Sequence, residues 1–178
     1  MNFPAQLATQ RLLIKPLNIN DDEFILELLN TAGWIKFIGN RNITSLAEAK
    51  AYIQKILDNE NIFYWAVQLK GHDENIGIVT FIKRDYLEHH DIGFAFLPRY
   101  FNQGYAYEAT MVVLYEIISD INLSHILATT VPENITSIKL LQKMGLGFEK
   151  EIEVDKERLH VYGTSTDKLK EPGYYAKM

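Results

Sequence analysis

Asp91-Ile-Gly-Phe-Ala-Phe-Leu-Pro-Arg-Tyr-Phe-Asn-Gln-Gly-Tyr-Ala-Tyr-Glu-Ala109 is the stretch on which the fold of this chain turns. Ile92, Phe94 and Phe96 alternate with small or apolar partners, the pattern of a mostly buried strand. Pro98 has no amide hydrogen for a ladder and stops that strand. Gly104 permits a backbone shape closed to other side chains. From Glu108 to Ile118 the chain continues as a helix rich in apolar residues. A helix N-terminus carries unpaired amide hydrogens and the positive end of the macrodipole. Fed by a glycine-containing loop, it can hold a phosphate or pyrophosphate. The same spacing also fits an ordinary strand-to-helix connection, where one glycine is common.

Upstream, Arg11 to Leu17 is predicted as a first strand, with Pro16 near its end. Asn20-Asp-Asp-Glu23 has the form of a capped helix start with a carboxylate at the third position, and Phe24, Ile25, Leu28 and Leu29 give that helix one apolar face. Trp34 to Asn42 is expected to be a loop or short helical pieces. Ser45-Leu-Ala-Glu48 is a cleaner capping box, followed at helical spacing by Ala49, Tyr52, Ile53, Ile56 and Leu57. Ile62 to Leu69 and Ile76 to Ile82 are strands around a turn containing Gly71 and Asp73, so they form a hairpin.

Downstream, His125 to Val131 is a strand stopped by Pro132. Asn134 stands near the cap of a helix running to Met144, and Gly145 fits its C-terminal end. Phe148 to Val154 and Arg158 to Ser165 are two last strands joined by Asp155-Lys-Glu157. The tail from Thr166 to Met178 is polar, carries Pro172-Gly173, and is expected to be only partly ordered. Strands 91–97 and 125–131 are joined through a helix, which implies a parallel pair; the hairpins imply antiparallel neighbours. The predicted class is mixed α/β, with helices on both faces of the sheet.

The 178 residues suit one domain, 1–178, with its core at about 9–165. A hydrophobic fraction of 47% fits a folded chain. The net charge of -5, with no dense Lys/Arg run, disfavours nucleic acid and weakly favours a cationic substrate. The absence of cysteine excludes disulfides, thiolate metal sites and a Cys nucleophile. No signal peptide or bilayer-length apolar run is seen, so a cytoplasmic location without membrane attachment is expected. The G-x-G-x-x-G and G-x-x-x-x-G-K-[ST] fingerprints are both missing, which disfavours NAD and P-loop chemistry.

Three segments resemble the GNAT superfamily of acetyl-CoA-dependent N-acetyltransferases. Thr9-Gln-Arg-Leu-Leu-Ile-Lys-Pro-Leu17 is similar to the first strand of the branch that acetylates ribosomal-protein N-termini. Phe101-Asn-Gln-Gly-Tyr-Ala-Tyr-Glu-Ala109 is similar to the acyl-CoA pyrophosphate loop, and Val131 to Phe148 to the motif after the fifth strand. The chain departs from the family at Phe101, where Gln or Arg is common, at Asn102, where Gly is common, and at Leu141, where many members place the Tyr acid.

The resemblance implies a mostly antiparallel, twisted sheet of about seven strands with a splayed parallel pair at its centre. It implies acetyl-CoA as co-substrate, held by the loop residues Asn102, Gln103, Gly104, Tyr105 and Ala106, by backbone groups of Phe96 and Leu97 as an added strand, and by Asn134 and Lys143. The Leu97 amide is expected to face the thioester carbonyl. Asp91 is assigned to accepting a proton from the amine, directly or through water; a turn or solvated Asp fits the position equally. Ser137 is assigned to a hydrogen bond to the thioester region or thiolate. Asn134 fits a plain N-cap as well, Lys143 a solvated helix residue, and Glu108 a helix first-turn residue. His89 and His90 are close to Asp91, have no metal-site spacing, and suit an exposed loop. No metal is expected.

A protein α-amine has a pKa near ~8 against ~10.4 for lysine, so it needs only a weak base. A site with Asp91 and no Tyr acid therefore leans toward an α-amine. The alternatives are a small-molecule amine, such as a polyamine or amino acid, and a degenerate acyl-CoA-binding protein without turnover. The assembly is expected to be a monomer or homodimer.

Overall fold

A computed structural model describes residues 6–120 and 123–170. The strands are β1 (Leu7–Ala8), β2 (Leu12–Pro16), β3 (Ile62–Leu69), β4 (Asn75–Ile82), β5 (Asp91–Phe96), β6 (His125–Thr130), β7 (Gly147–Val154) and β8 (Glu157–Ser165). The helices are α1 (Asp22–Leu29), α2 (Ala32–Phe37), α3 (Leu46–Leu57), α4 (Tyr105–Asp120), α5 (Ile135–Lys143) and α6 (Thr166–Lys170). The strands form one eight-stranded sheet in the order β1-β2-β3-β4-β5-β6-β8-β7. Every neighbouring pair is antiparallel except β5 and β6. The strand beyond the expected seven is β1, a two-residue edge piece.

The two faces of the sheet are filled differently. On one, α4 and α5 bury Met111, Leu114, Ile117, Leu141 and Met144 against Trp65, Val79, Phe81, Ile92, Phe96, Ile126, Ala128 and Tyr162. That core runs from β2 across to β8. On the other, α1 and α3 bury Ile25, Leu28, Leu29, Ala49 and Ile53 against Ala66, Ile78 and Leu97. This second core stops at β5. Beyond it, among the described residues, the same face carries a small cluster of Leu87, Leu127 and Val161 with Ile152.

The capping box at Ser45 forms as its spacing dictates: Ser45 accepts from the Glu48 amide and the Glu48 carboxylate accepts from the Ser45 amide at 3.0 Å. The start of α1 departs from expectation. Its N-cap is Asp21, which makes no cap bond. Asp21 Oδ2 instead accepts from the Asn18 amide at 2.9 Å, and Oδ1 accepts from Asn75 Nδ2 at 2.8 Å. The carboxylate ties the helix start to β4, so it is not free for its own helix. Trp34 lies in α2, capped by Thr31, and is buried.

The polar tail, expected to be only partly ordered, begins with an ordered segment. Thr166 to Lys170 form α6, and Leu169 is fully buried in the larger core. The Thr166 amide is donated to Ser124 O at 3.1 Å, which pins the helix beside β6. Pro172 and Gly173 lie outside the described residues.

Candidate active site

The centre of the sheet is open. Leu97 donates its amide to Ile76 O at 2.9 Å. In an antiparallel ladder, facing pairs alternate between exchanging both bonds and exchanging neither. The register Gly77↔Phe96 and Ile78↔Ala95 therefore turns the peptide groups of residues 91, 93, 95 and 97 toward β4, and those of Ile92, Phe94 and Phe96 toward β6. Yet β6 pairs with β5 only at Asp91↔Leu127. Past that vertex the strands part, and the peptide groups of Phe94 and Phe96 face a gap. Gly93, Phe94 and Ala95 are half-buried although they lie in the middle of an eight-stranded sheet.

This corrects one expectation and adds a residue. The Leu97 amide is engaged by Ile76 and does not face the gap. Phe94, which sequence reasoning passed over, does. The period of two that identifies a strand also alternates its peptide groups, so the signal was present once Leu97 was paired with Ile76.

Asp91 occupies the vertex and is 2% exposed. Its Oδ2 accepts from the Thr129 amide at 3.0 Å and from the Thr129 hydroxyl at 2.8 Å. The Thr129 amide is the ladder donor next after that of Leu127, which goes to His90 O at 2.9 Å. A carboxylate thus takes the bond that a continuing β5 carbonyl would have taken, and the pairing ends there. Arg84 Nη2 stands 3.3 Å from Oδ1. Burial pushes the Asp91 carboxyl above its ordinary value, against the downward pull of Arg84 and Thr129. His90 stacks on Phe81 at 4.5 Å and His89 tilts against His125 at 5.2 Å; both are half-buried, not exposed as their loop position suggested.

Beyond β5, a 3-10 turn at Pro98–Tyr100 leads into the loop. Asn102 has φ 59 and Gly104 φ 81. Both sit in the left-handed region, which glycine enters freely and asparagine more readily than other residues. Asn at 102 therefore keeps the backbone shape of the commoner Gly. The first amide of α4 with a helical acceptor is that of Glu108, on Gly104 O at 3.0 Å. The amides of Tyr105, Ala106 and Tyr107 form the open end of the helix. Phe101 is 50% exposed and puts no charge there. Gln103 folds its side chain back to Arg99 O at 3.2 Å.

Asn134 caps α5 by accepting from the Ser137 amide at 3.2 Å. Lys143, at the other end of that helix, places Nζ 4.5 Å over the Tyr107 ring in the first turn of α4. Leu141 is 1% exposed and belongs to the core, so the position of the expected acid is closed to any ligand. A cleft of about 330 Å³ lies on the opposite side, lined by Lys36, Phe37, Val131, Glu133, Lys156, Glu157 and Arg158. Val131 directly follows β6, so this cleft adjoins the end of the gap. A second, acidic cleft of about 360 Å³ lies between α1 and the β3–β4 turn, lined by Asp21, Glu23, Glu27, Asp73 and Glu74 among others. Among the described residues no cluster of His, Asp and Glu is arranged to hold a metal ion, and no helix is long and apolar enough to cross a membrane.

The arrangement has known counterparts. Residues 11–147 match the acetyltransferase (GNAT) domain. The uncharacterized N-acetyltransferase YnaD of Bacillus subtilis (strain 168) is 33% identical over 140 residues, covering 79% of this chain and 81% of that protein. The structure of a ribosomal-protein-S5-alanine acetyltransferase from Vibrio fischeri superposes with a TM-score of 0.78 at 18% identity, covering 94% of this chain and 100% of that one. Spermidine N-acetyltransferase from Vibrio cholerae, in complex with CoA and spermine, superposes with a TM-score of 0.78 at 17% identity, covering 92% and 100%.

Proposed function

Since the chain belongs to the GNAT acetyltransferase domain family and is an acetyltransferase, we propose that it uses acetyl-CoA as donor and a primary α-amine, such as a protein N-terminus, as acceptor. The observation that carries this reading is the parted β5–β6 pair. The open end of α4 lies toward one face of it and the 330 Å³ cleft toward the other.

Acetyl-CoA supplies the acetyl group as a thioester. The amides of Gly104 and the first turn of α4 suit its pyrophosphate, with Asn102, Gln103, Tyr105 and Ala106 shaping the cradle. The peptide groups of Phe94 and Phe96 suit the pantetheine arm, which completes the ladder that β6 leaves. Among the described residues nothing hydrogen-bonds Asn134 Nδ2 or Lys143 Nζ, which suits them to meet the arm and the phosphates. The Ser137 hydroxyl donates a hydrogen bond to the departing sulfur. Asp91 takes the amine proton through Oδ1, the oxygen that carries only the longer Arg84 contact. Its raised pKa makes it a better base than an ordinary carboxylate.

The lining of the cleft favours an α-amine over a polyamine. Three cations, Lys36, Lys156 and Arg158, face two carboxylates, Glu133 and Glu157. Glu151 also pairs with Arg158 at 3.7 Å, so the charges balance and the cleft lacks the carboxylate surplus that would draw a polycation, whereas a peptide presents one amine followed by neutral backbone. The Vibrio fischeri protein is named for a protein alanine acceptor and the Vibrio cholerae protein for spermidine, so the shared fold admits both.

Thermal unfolding with acetyl-CoA, CoA and ATP tests the donor. A ligand at a hundredfold excess over Kd adds about 2.7 kcal/mol, so both CoA species raise Tm and ATP does not. Release of CoA thiol with tripeptides and with spermidine then tests the acceptor. Absence of a CoA shift at millimolar ligand overturns the donor, and higher kcat/KM for spermidine than for any peptide overturns the acceptor.

A further inference from the structure

We propose that Arg11, which lies outside the loop on the approach to β2, is a positioning residue for the acetyl-CoA pyrophosphate. The inference rests on the donor reading above. Glu108 sits in the first turn of α4, where a carboxylate suits the helix dipole but repels a bound pyrophosphate. Arg11 removes that conflict. Its Nε donates to Glu108 Oε2 at 2.7 Å, and Nη2 donates to the same oxygen. The Thr9 hydroxyl donates to Oε1. Both carboxylate oxygens are thereby turned toward the N-terminal strands.

The same guanidinium sets the loop. Arg11 Nη1 donates to Gln103 O at 3.0 Å. Across a trans peptide the carbonyl and the following amide point in opposite directions. Holding the Gln103 carbonyl toward Arg11 therefore turns the Gly104 amide away from it, as a phosphate donor. The guanidinium also lies 4.5 Å from the centre of the Tyr105 ring. A side chain at Gly104 would bring its Cβ 3.4 Å from Arg11 Nη2. Arg11 itself is held by the Lys70 amide, which donates to its carbonyl at 2.9 Å. The chain thus brings a guanidinium to the loop from a distant strand, while Phe101 occupies the loop position where the family commonly has Gln or Arg.

Four proteins test this: wild type, Arg11→Gln, Glu108→Gln and the double variant, with CoA affinity read by calorimetry and folding by Tm. Arg11→Gln leaves the Glu108 charge beside the ligand and raises the CoA Kd at least tenfold. Glu108→Gln binds CoA at least as tightly as wild type. The double variant recovers at least threefold of the loss. Turnover with S-acetylpantetheine, which lacks the pyrophosphate, falls at least fivefold less in Arg11→Gln than turnover with acetyl-CoA. A merely structural Arg11 would give equal losses with both donors and a double variant no better than the single one; either result overturns the inference. Unchanged CoA binding in Arg11→Gln overturns it alone, whereas a wild type that binds no CoA overturns the donor reading as well.

Discussion

Replacing Asp91 by Asn separates its two jobs. The amide oxygen can still accept from the Thr129 amide and hydroxyl, now 3.0 and 2.8 Å from Oδ2, so the vertex keeps its shape. The amide nitrogen faces Arg84, a donor against a donor, and the charge pair at 3.3 Å is lost. The loss of the Arg84 contact is offset by relief of the burial cost of the Asp91 charge, since the raised pKa shows that the fold favours the uncharged form. A lost general base costs about 10²- to 10⁴-fold in rate. Asp91→Asn is therefore expected to fold with a Tm close to that of wild type, to keep its CoA Kd within about threefold, and to lose at least a hundredfold in kcat.

The pH profile is the deciding assay for Asp91. Burial raises its pKa above the ordinary 3.8, so the acid limb of wild-type kcat/KM sits above the usual carboxylate range, with activity rising as the proton leaves. The Asn variant lacks that limb. Stability runs the other way. A raised folded pKa means that the contribution of Asp91 is present below 3.8 and is lost as pH rises through the folded value. A variant with wild-type kcat and the same acid limb would refute the proton-accepting role.

Three further outcomes are expected. A Cβ at Gly77 would stand 2.3 Å from Cδ1 of Phe96; Gly77→Ala should lower stability by about 1–3 kcal/mol in urea and weaken CoA binding, because Phe96 borders the gap. Asn134→Ala removes the α5 cap and should cost about 1 kcal/mol, with a CoA Kd that rises beyond what the stability loss explains if Nδ2 meets the arm. Leu169→Ala should cost about 2–5 kcal/mol by urea unfolding, since α6 is part of the core and not a loose tail.

The fold was legible wherever one physical signal set the structure. The apolar run Ile62–Leu69 before the Gly71 and Asp73 turn placed β3, and the Ser45/Glu48 spacing placed the start of α3. The loop was legible too, because Gly104 and the helix behind it are local features. What escaped depended on partners far away in sequence. Asp21 resembles a helix cap but is drawn to Asn75 of β4. Leu169 sits in a polar segment and is buried only because Thr166 pins that segment beside β6. Arg11 and Glu108 are 97 residues apart, and neither charge announces the other. Leu97 lay inside the expected strand, but the direction of its amide depended on register with Ile76.

The second core, which stops at β5, has a mechanical consequence. On the α4 side, apolar packing is continuous from β2 to β8; on the α1 side, among the described residues, the apolar cluster of Leu97 and that of Val161 are separate. The molecule therefore has a spine and a free edge, like a book hinged along Asp91 and Leu127. The part is crossed by that bridge, by the Thr129 hydrogen bonds to Asp91 and by the packing on the α4 side, so any give lies on the α1 side. On the donor reading proposed above, a pantetheine arm bonded to Phe94 and Phe96 would add a tie across the part that the apolar packing on that side leaves out.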